Sequence, residues 1–251
     1  MMNDLSRWTD RVALVTGASS GIGEAIAQRL VHEGLRVVGC GRRLDRLQRL
    51  RERLGARFEP FEVDLRDEAA IHGMFAVIER RVGPVDVLIN NAGLGLDASL
   101  ISGDPRAWRE MIDTNVMALA ICTQLALRRM RAGPDDGMII HISSMAGHRV
   151  PPGGGSMYAA TKFAVRALTE GLRQELHAAG SGVRVGAVSP GLVETEFPQR
   201  YHGSADAAAM AAHDFPLLHP ADIADAVAFM LSQPPHVQVH DLLLRPRRQP
   251  N

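Results

Sequence analysis

Apolar and polar positions along the chain change between two periods, and this pattern predicts strands that alternate with helices. Short apolar runs typical of buried strands occupy residues 11–16, 35–40, 58–63, 85–89, 138–142, 182–188 and 237–244. Helical periodicity follows them at about 21–33, 44–54, 67–82, 105–113, 114–130, through Tyr158 to about 179, and at 220–231. Strands alternating with helices are typical of a parallel sheet covered by helices on both faces. The sequence therefore predicts an α/β fold.

Composition narrows the possible classes of function. The 251 residues are 46% hydrophobic and 22% charged, which is enough for a sizeable core, and no linker or repeat divides them. We therefore predict one domain over residues 1–251. The net charge of zero favours neither nucleic acid nor an anionic membrane surface. Cys40 and Cys122 match no disulfide framework or metal-ligand spacing, so we expect no metal site.

Targeting signals are not evident in the sequence. The first ten residues lack an apolar signal core, and no run approaches the roughly 18 apolar residues of a membrane span. We therefore expect no membrane span and a cytoplasmic location.

A glycine-rich loop follows the first predicted strand. Its residues are Gly17, Ala18, Ser19, Ser20, Gly21, Ile22 and Gly23, and a helix begins there. Glycines between a strand and a helix let the backbone approach a pyrophosphate, which the helix N-terminus then holds. The order of strand, loop and helix favours a dinucleotide site over the alternative, an ordinary tight turn.

Two arginines follow the second predicted strand. An acidic residue at this point of a dinucleotide-binding fold holds the adenosine ribose, whereas an arginine accommodates a 2′-phosphate. Arg42 and Arg43 stand there without an acidic residue, which favours NADP(H) over NAD(H). The alternative is that both arginines merely open the helix at 44–54.

Polar and small residues also follow the third and fourth strands. Asp64 and Leu65 end the third, where Asp64 either contacts an adenine or caps the next helix. Asn91, Ala92 and Gly93 end the fourth, and suit a floor beneath a cofactor. The alternative for the latter is an Asn/Gly turn.

Tyr158 and Lys162 carry the candidate chemistry. Lys162 is the one lysine among 28 basic residues, and Tyr158 is one of two tyrosines. Four-residue spacing places both on one helix face, where an ammonium would lower the phenol pKa from its usual value of about 10. Ser144, after the fifth strand, would hold a substrate oxygen beside Tyr158. The alternative is a surface helix with a stray tyrosine and lysine.

Other segments are expected to border the site. Asn115 lies near the start of an apolar helix. Its side chain either caps this helix or holds a water molecule below Lys162. The loop 147–155 would form a pocket rim, where His148 and Arg149 either hold a carboxylate or bind nothing. Residues 192–216, with Phe197, Tyr201, Met210 and Phe215, resemble a substrate lid or an ordinary surface excursion. The basic tail 245–251 is expected to be solvated or to contact another subunit.

Together these motifs resemble the short-chain dehydrogenase/reductase family over nearly the whole chain. The motifs, in family order, are Gly17-x3-Gly21-x-Gly23, Asn90-Asn91-Ala92-Gly93, Asn115, Ser144, Tyr158-x3-Lys162 and Pro190-Gly191. The stretches 144–150, 167–176 and 189–197 and the ending around Arg245-Pro246 are similar to one branch of the family. This branch includes one animal member that acts on keto- and hydroxysteroids and the insect NADP-dependent farnesol dehydrogenases, and its bacterial relatives reduce other small carbonyls. The resemblance implies a Rossmann-type, doubly wound parallel sheet of about seven strands.

The resemblance also implies roles for individual residues. Tyr158 would be the acid/base, Lys162 would bind the nicotinamide ribose, Ser144 would position the substrate oxygen and Asn115 would anchor a water relay. Pro190, Gly191, Val193 and Thr195 would contact the nicotinamide end of the cofactor. The separation of Ser144 from Tyr158 exceeds the commonest family spacing by one residue, which keeps Ser143 as the alternative.

The sequence thus predicts an NADP(H)-dependent oxidoreductase that interconverts a small or lipophilic alcohol and its ketone or aldehyde. His148, Phe197 and Tyr201 are the candidate substrate contacts beside Ser144. The alternatives are a 3-hydroxy-acid dehydrogenase on the same scaffold and a non-catalytic NADP(H)-binding protein. The family resemblance alone implies a homodimer or homotetramer.

Overall fold

A seven-stranded parallel sheet forms the centre of the molecule and confirms the predicted fold class. The computed structural model describes residues 4–151, 155–203 and 214–250. The strands lie in the order β3-β2-β1-β4-β5-β6-β7, and every neighbouring pair is parallel. Their bounds are β1 Val12–Thr16, β2 Arg36–Gly41, β3 Phe58–Glu62, β4 Val85–Asn90, β5 Met138–Ile142, β6 Arg184–Pro190 and β7 Asp241–Leu244.

The last strand is shorter than predicted. The apolar pattern predicted a strand over 237–244, but β7 begins only at Asp241. The guanidinium of Arg184 donates to the carbonyl oxygens of Gln233, Pro234 and Val237, and Val237 takes no part in sheet pairing. The segment before β7 is therefore bound by a buried arginine of β6 and not by strand pairing.

Helices cover both faces of the sheet. They are α1 Gly21–His32, α2 Leu44–Leu54, α3 Glu68–Arg81, α4 Pro105–Ile112, α5 Ala118–Ala132, α6 Ser156–Ala178, α7 Phe197–His202 and α8 Pro220–Ser232. Helices α1, α2 and α8 contribute to one apolar core, for example through Ile26 and Val227. Helices α3, α5 and α6 contribute to the other, for example through Met74, Cys122 and Leu176. The two cores make the sheet doubly wound.

The helix predicted from residue 114 onward has an unpredicted start. Asp113–Met117 form a π-helical turn that joins α4 directly to α5. Such turns are rare and frequently lie at functional sites. Asn115 is buried within this turn, so its side chain projects from a widened part of a continuous helix.

The strand order reverses beside β1, since β2 lies on one side of it and β4 on the other. Ligands of open parallel sheets bind at the carboxyl ends of the strands where this reversal occurs. The sequence-predicted glycine loop follows β1 and the Asn91 segment follows β4, so the fold places both at this crevice.

Candidate active site

The glycine loop after β1 has a backbone that other residues would not adopt easily. Gly17 has φ +69° and Gly21 has φ +57°, both in the left-handed region. A Cβ atom on Gly17 would lie 2.9 Å from the Cα of Ala92. The absence of side chains thus lets the loop pack directly against the segment that follows β4.

Thr16 joins these two segments. Its Oγ1 accepts hydrogen bonds from the backbone N–H groups of Asn91 (3.0 Å) and Ala92 (2.9 Å). The Asn91 side-chain amide donates in return to the Thr16 carbonyl at 2.8 Å. Thr16 was not among the predicted site residues, although a hydroxyl at the carboxyl end of a buried strand is a usable signal. These hydrogen bonds hold the floor of the cavity in place.

One end of the cavity is lined by charged side chains. Arg43 donates to the hydroxyls of Ser19 (2.9 Å) and Ser20 (2.6 Å) in the glycine loop. It also pairs with Glu196 at 2.9 Å, whose second carboxylate oxygen accepts from Arg46 at 2.6 Å. The hydrogen bond from Arg43, followed by that from Arg46, lowers the pKa of Glu196 to about 2. Arg42 is exposed and lines the same end.

The neighbouring carboxylate of Asp64 also lines the cavity. Asp64 accepts from the backbone and guanidinium of Arg66, and this hydrogen bonding lowers the pKa of Asp64 to about 2. The interpretation of Asp64 as the cap of α3 is wrong, because the side chain of Asp67 accepts from Ala70 N at that position. Leu65, which lies between Asp64 and Arg66 in the chain, is buried.

At the other end, α6 directs Tyr158 and Lys162 into the cavity. Lys162 is only 6% exposed, and its Nζ donates to the carbonyl oxygen of Ile142 at 2.9 Å. The same Nζ lies 5.8 Å from the centroid of the Tyr158 ring. The four-residue spacing thus brings both side chains to one place, as the helical pattern predicted.

The pKa of Tyr158 differs from the expectation based on the sequence. Burial raises the pKa of Tyr158 to about 12, although a hydrogen bond with Ser144 lowers it in part. Burial also lowers the pKa of Lys162 to about 8. The predicted lowering of the tyrosine pKa is therefore not what the protein's own groups produce, because desolvation of the phenol outweighs the hydrogen bond from Ser144.

Asn115 connects three parts of the site. Its Oδ1 accepts from Leu94 N and its Nδ2 donates to Leu94 O, each at 2.8 Å. Nδ2 also donates to Thr161 Oγ1 at 3.0 Å. Asn115 does not cap a helix, since it lies within the π-helical turn and its amide is used by Leu94 and Thr161. Thr161, missed by sequence reasoning, links this network to the Tyr158 carbonyl at 2.7 Å.

The two serines after β5 face different groups. The Ser144 hydroxyl is hydrogen-bonded to Tyr158 and accepts from Ala146 N at 3.1 Å. The Ser143 hydroxyl donates instead toward the Lys162 carbonyl at 3.4 Å. Both border the cavity, but the geometry favours Ser144 as the partner of the tyrosine.

An aromatic wall extends from Tyr158. The ring centroid of Phe197 lies 5.3 Å from that of Tyr158, and Tyr201 lies 6.0 Å beyond Phe197. A Cβ atom on Gly95 would lie 2.6 Å from Phe197 Cζ, so a glycine is needed opposite the wall. Phe197 and Tyr201 belong to the predicted lid, within which residues 204–213, including Met210, lie outside the described residues.

Most of these groups line one cavity of about 730 Å³, whereas Thr16, Asn115 and Thr161 are not part of its lining. Its lining contains, among others, the predicted residues Gly17, Ser19, Ser20, Gly21, Ile22, Gly23, Arg42, Arg43, Asp64, Leu65, Asn91, Ala92, Gly93, Ser144, Tyr158, Lys162, Pro190, Gly191, Val193, Thr195, Phe197 and Tyr201. Thr195 packs against the glycine loop, since a Cβ atom on Gly21 would lie 3.1 Å from its Cγ2. The volume and the glycine cradle fit a dinucleotide.

The family assignment follows from comparison with known proteins. The family model described as short chain dehydrogenase matches residues 11–204. The chain belongs to the short-chain dehydrogenase family. Dehydrogenase/reductase SDR family member 11 of Bos taurus is 47% identical over 98% of this chain and 99% of its own length.

Two further relatives support the assignment. Farnesol dehydrogenase of Aedes aegypti is 41% identical over 96% of this chain and 98% of its own. The solved closed form of serine dehydrogenase complexed with NADP⁺ superposes with a TM-score of 0.90 at 37% identity, covering 96% of both chains. As a short-chain dehydrogenase the protein is an oxidoreductase of alcohol or carbonyl substrates, from a family that uses a nicotinamide cofactor.

His148 is a correction to the predicted substrate contacts. Its Nε2 lies 3.1 Å from Ser189 Oγ and 3.1 Å from Asp241 Oδ2, between β6 and β7. The cavity lining contains Arg149 but not His148. The sheet order brings Asp241 to this imidazole, and no local pattern predicted that contact. Of the predicted rim 147–155, residues 152–154 lie outside the described residues.

Two other expectations concern membranes and metals. Within the described ranges, no helix combines the length and apolar character that crossing a bilayer requires. The same ranges contain no group of three or more His, Cys, Asp or Glu side chains arranged to hold a metal ion.

Proposed function

We propose that this short-chain dehydrogenase is an NADP(H)-dependent carbonyl reductase that interconverts a lipophilic alcohol and its ketone or aldehyde. The observation that carries the proposal is the convergence of Tyr158, Ser144 and Lys162 on one end of a dinucleotide-sized cavity. When bound, the nicotinamide ring supplies or accepts the hydride.

Tyr158 is the proposed proton donor. With its pKa raised to about 12, the phenol is neutral at pH 7, which is the form that can protonate a carbonyl oxygen. The Ser144 hydroxyl beside it would hold the same oxygen. The Lys162 ammonium, with a pKa of about 8, stays charged at neutral pH and would hold the nicotinamide ribose.

Resupply of the proton is assigned to Lys162 with Asn115. A Cβ atom on Gly93 would lie 3.4 Å from Asn115 Oδ1 and 3.5 Å from Lys162 Nζ, so both polar groups flank this glycine. The free lone pair of Oδ1 would anchor a water between them, as the family resemblance implies.

The proposed preference for NADP(H) rests on charge. Arg42 and Arg43 line the end of the cavity where an adenosine ribose would lie, Arg46 pairs with Glu196 beside them, and β2 ends without an acidic residue. A relative solved with NADP⁺ has the same fold at 37% identity. Guanidinium groups favour a 2′-phosphate over a plain ribose hydroxyl.

The aromatic wall supports a lipophilic substrate. Phe197 and Tyr201 extend from Tyr158, and Leu94, Met145 and Leu217 line the same cavity. A second candidate is a 3-hydroxy acid, because Arg149 also lines the cavity and a serine dehydrogenase is among the structural relatives. A binding protein without turnover would not need the Tyr158 and Lys162 pair.

Assembly into a homodimer or homotetramer is also proposed. Ile112 and Met117, around the π-helical turn, and Phe163 and Leu168, on α6, expose large apolar side chains near the helices expected to form the interface. Light scattering after size-exclusion chromatography would distinguish a monomer of 27.2 kDa from either assembly.

The test of the proposed function is consumption of NADPH and, separately, NADH against a carbonyl panel. The panel contains a 17-ketosteroid, farnesal, an aromatic diketone and 3-oxo acids. We expect turnover of the lipophilic members with NADPH in preference to NADH. Turnover of the oxo acids alone would contradict the lipophilic substrate and favour the 3-hydroxy-acid dehydrogenase. Tight NADPH binding without any turnover would favour a non-catalytic NADP(H)-binding protein.

A further inference from the structure

The C-terminal segment, residues 245–250, forms part of the cavity wall. Gln249 lines the cavity, and its Oε1 accepts a hydrogen bond from Leu192 N at 3.0 Å. The backbone of Gln249 is itself held by a 3.0 Å hydrogen bond to Pro246 O, and Pro246 is buried. The segment is therefore folded onto the site, contrary to the expectation of a solvated tail.

Contacts hold this segment to two further borders of the site. Arg149, after β5, donates to the Pro250 carbonyl at 3.2 Å. Arg248 pairs with Asp214 at 3.2 Å, close to the end of the predicted lid region. A Cβ atom on Gly191 would lie 2.2 Å from Gln249 Oε1, so the segment packs tightly on the turn after β6.

The hydrogen bond to Leu192 fixes the orientation of the Gln249 amide. A backbone N–H only donates, so the amide oxygen must face Leu192 and the NH₂ group must lie on the other side. No residue in the described part of the chain accepts a hydrogen bond from this NH₂ group. Gln249 is thus a fixed donor on the wall of the cavity.

We propose that Gln249 is a specificity-determining residue whose amide NH₂ recognises an acceptor oxygen of the substrate, remote from the reacting carbonyl. The inference rests on the proposed function for the reacting carbonyl. A hydroxyl or second carbonyl oxygen on a lipophilic ketone is the matching chemical class. A site with a placed hydrogen-bond donor disfavours an analogue that lacks the acceptor.

The substitution Gln249→Glu separates the two roles of the side chain. A carboxylate still accepts from Leu192 N but has no N–H to donate, so Gln249→Glu retains the wall and removes the donor. Gln249→Leu removes both interactions. Arg247→Ala is the matched control, because Arg247 is exposed and does not line the cavity.

The experiment compares a 17-ketosteroid that carries a 3-hydroxyl group with its 3-deoxy counterpart. Turnover with NADPH and calorimetric binding to the NADP⁺-saturated protein are both measured. We expect wild type and Arg247→Ala to prefer the hydroxylated member by about fivefold, the scale of one hydrogen bond, through KM rather than kcat. Gln249→Glu should lose this preference with unchanged melting temperature and NADPH affinity, whereas Gln249→Leu should also melt earlier.

The outcomes separate the two proposals. Equal preference in wild type and Gln249→Glu, or no preference in wild type, overturns the role of Gln249. A Gln249-dependent binding preference without turnover overturns the proposed carbonyl reduction and leaves the recognition role in place.

Discussion

The two ends of the cavity use opposite electrostatic environments. At the arginine end, Arg43 and Glu196 have side chains 27% and 40% exposed, and their charges are paired in solvent. At the tyrosine end, Lys162 and Asn115 are 6% and 1% exposed. Exposed ion pairs are screened by solvent and contribute little to stability, so their charges remain available to a ligand. Burial, in contrast, shifts the pKa values of titratable side chains strongly. The arginine end is thus suited to cofactor selection, and the tyrosine end to proton transfer.

The largest effect should come from the buried end. Tyr158→Phe removes the proton donor while keeping the ring against Phe197, and we expect at least a roughly hundredfold loss of kcat. NADPH affinity, measured by fluorescence titration, should change by less than about threefold. Tyr201→Phe, which removes the chain's other phenol, should cost less than about tenfold. Near-normal turnover by the Tyr158 variant would contradict the assignment.

The next effect should separate the two cofactors. Arg42→Ala removes an exposed guanidinium from the arginine end, so we expect the KM for NADPH to rise about tenfold and that for NADH less than about twofold. Steady-state kinetics at two salt concentrations measures both. Arg49→Ala is the control, since Arg49 pairs with Asp45 in the same helix and does not line the cavity. Equal effects on the two cofactors would place 2′-phosphate recognition elsewhere.

Lys162 allows the buried environment to be measured directly. Because it is the chain's one lysine, protein labelled with ¹³C-lysine should give a single side-chain ammonium titration by NMR. We expect a midpoint near the pKa of about 8, with the charged form below it, because burial disfavours the ammonium. A midpoint near the ordinary 10.5 would show that the site is hydrated.

The smallest effect should come from Glu196. Glu196→Gln removes the carboxylate that neutralises Arg43 and Arg46, so NADPH should bind about two- to fivefold more tightly at low salt. Glu194→Gln is the control, because Glu194 is exposed and pairs with His219. Isothermal titration measures both variants. Weaker NADPH binding by the Glu196 variant would mean that the carboxylate positions Arg43.

Much of the fold and some of the site could be predicted from sequence because the signals are local. Apolar runs located all seven strands, most within two residues, and the strand-loop-helix order located the glycine cradle. The four-residue spacing of Tyr158 and Lys162 fixed their common face. The π-helical turn at Asn115 was not predicted, since no residue type in Asp113–Met117 requires the wider turn.

Contacts between distant segments lay beyond these local patterns. His148 lies in the loop that was predicted to form the pocket rim, yet its side chain contacts Asp241, which β7 brings alongside β6. Glu196 meets Arg43 across 153 positions, and Gln249 meets Leu192 across 57.

The sequence by itself determined the family, the parallel sheet and the candidate acid/base pair, because periodicity and short spacings fix which side chains share a strand end or helix face. Only the tertiary structure decided the raised pKa of Tyr158, the pairing of Glu196 with the arginines and the folding of Gln249 onto the cavity. Desolvation and long-range contacts depend on which elements the sheet order brings together, and no local pattern records that order.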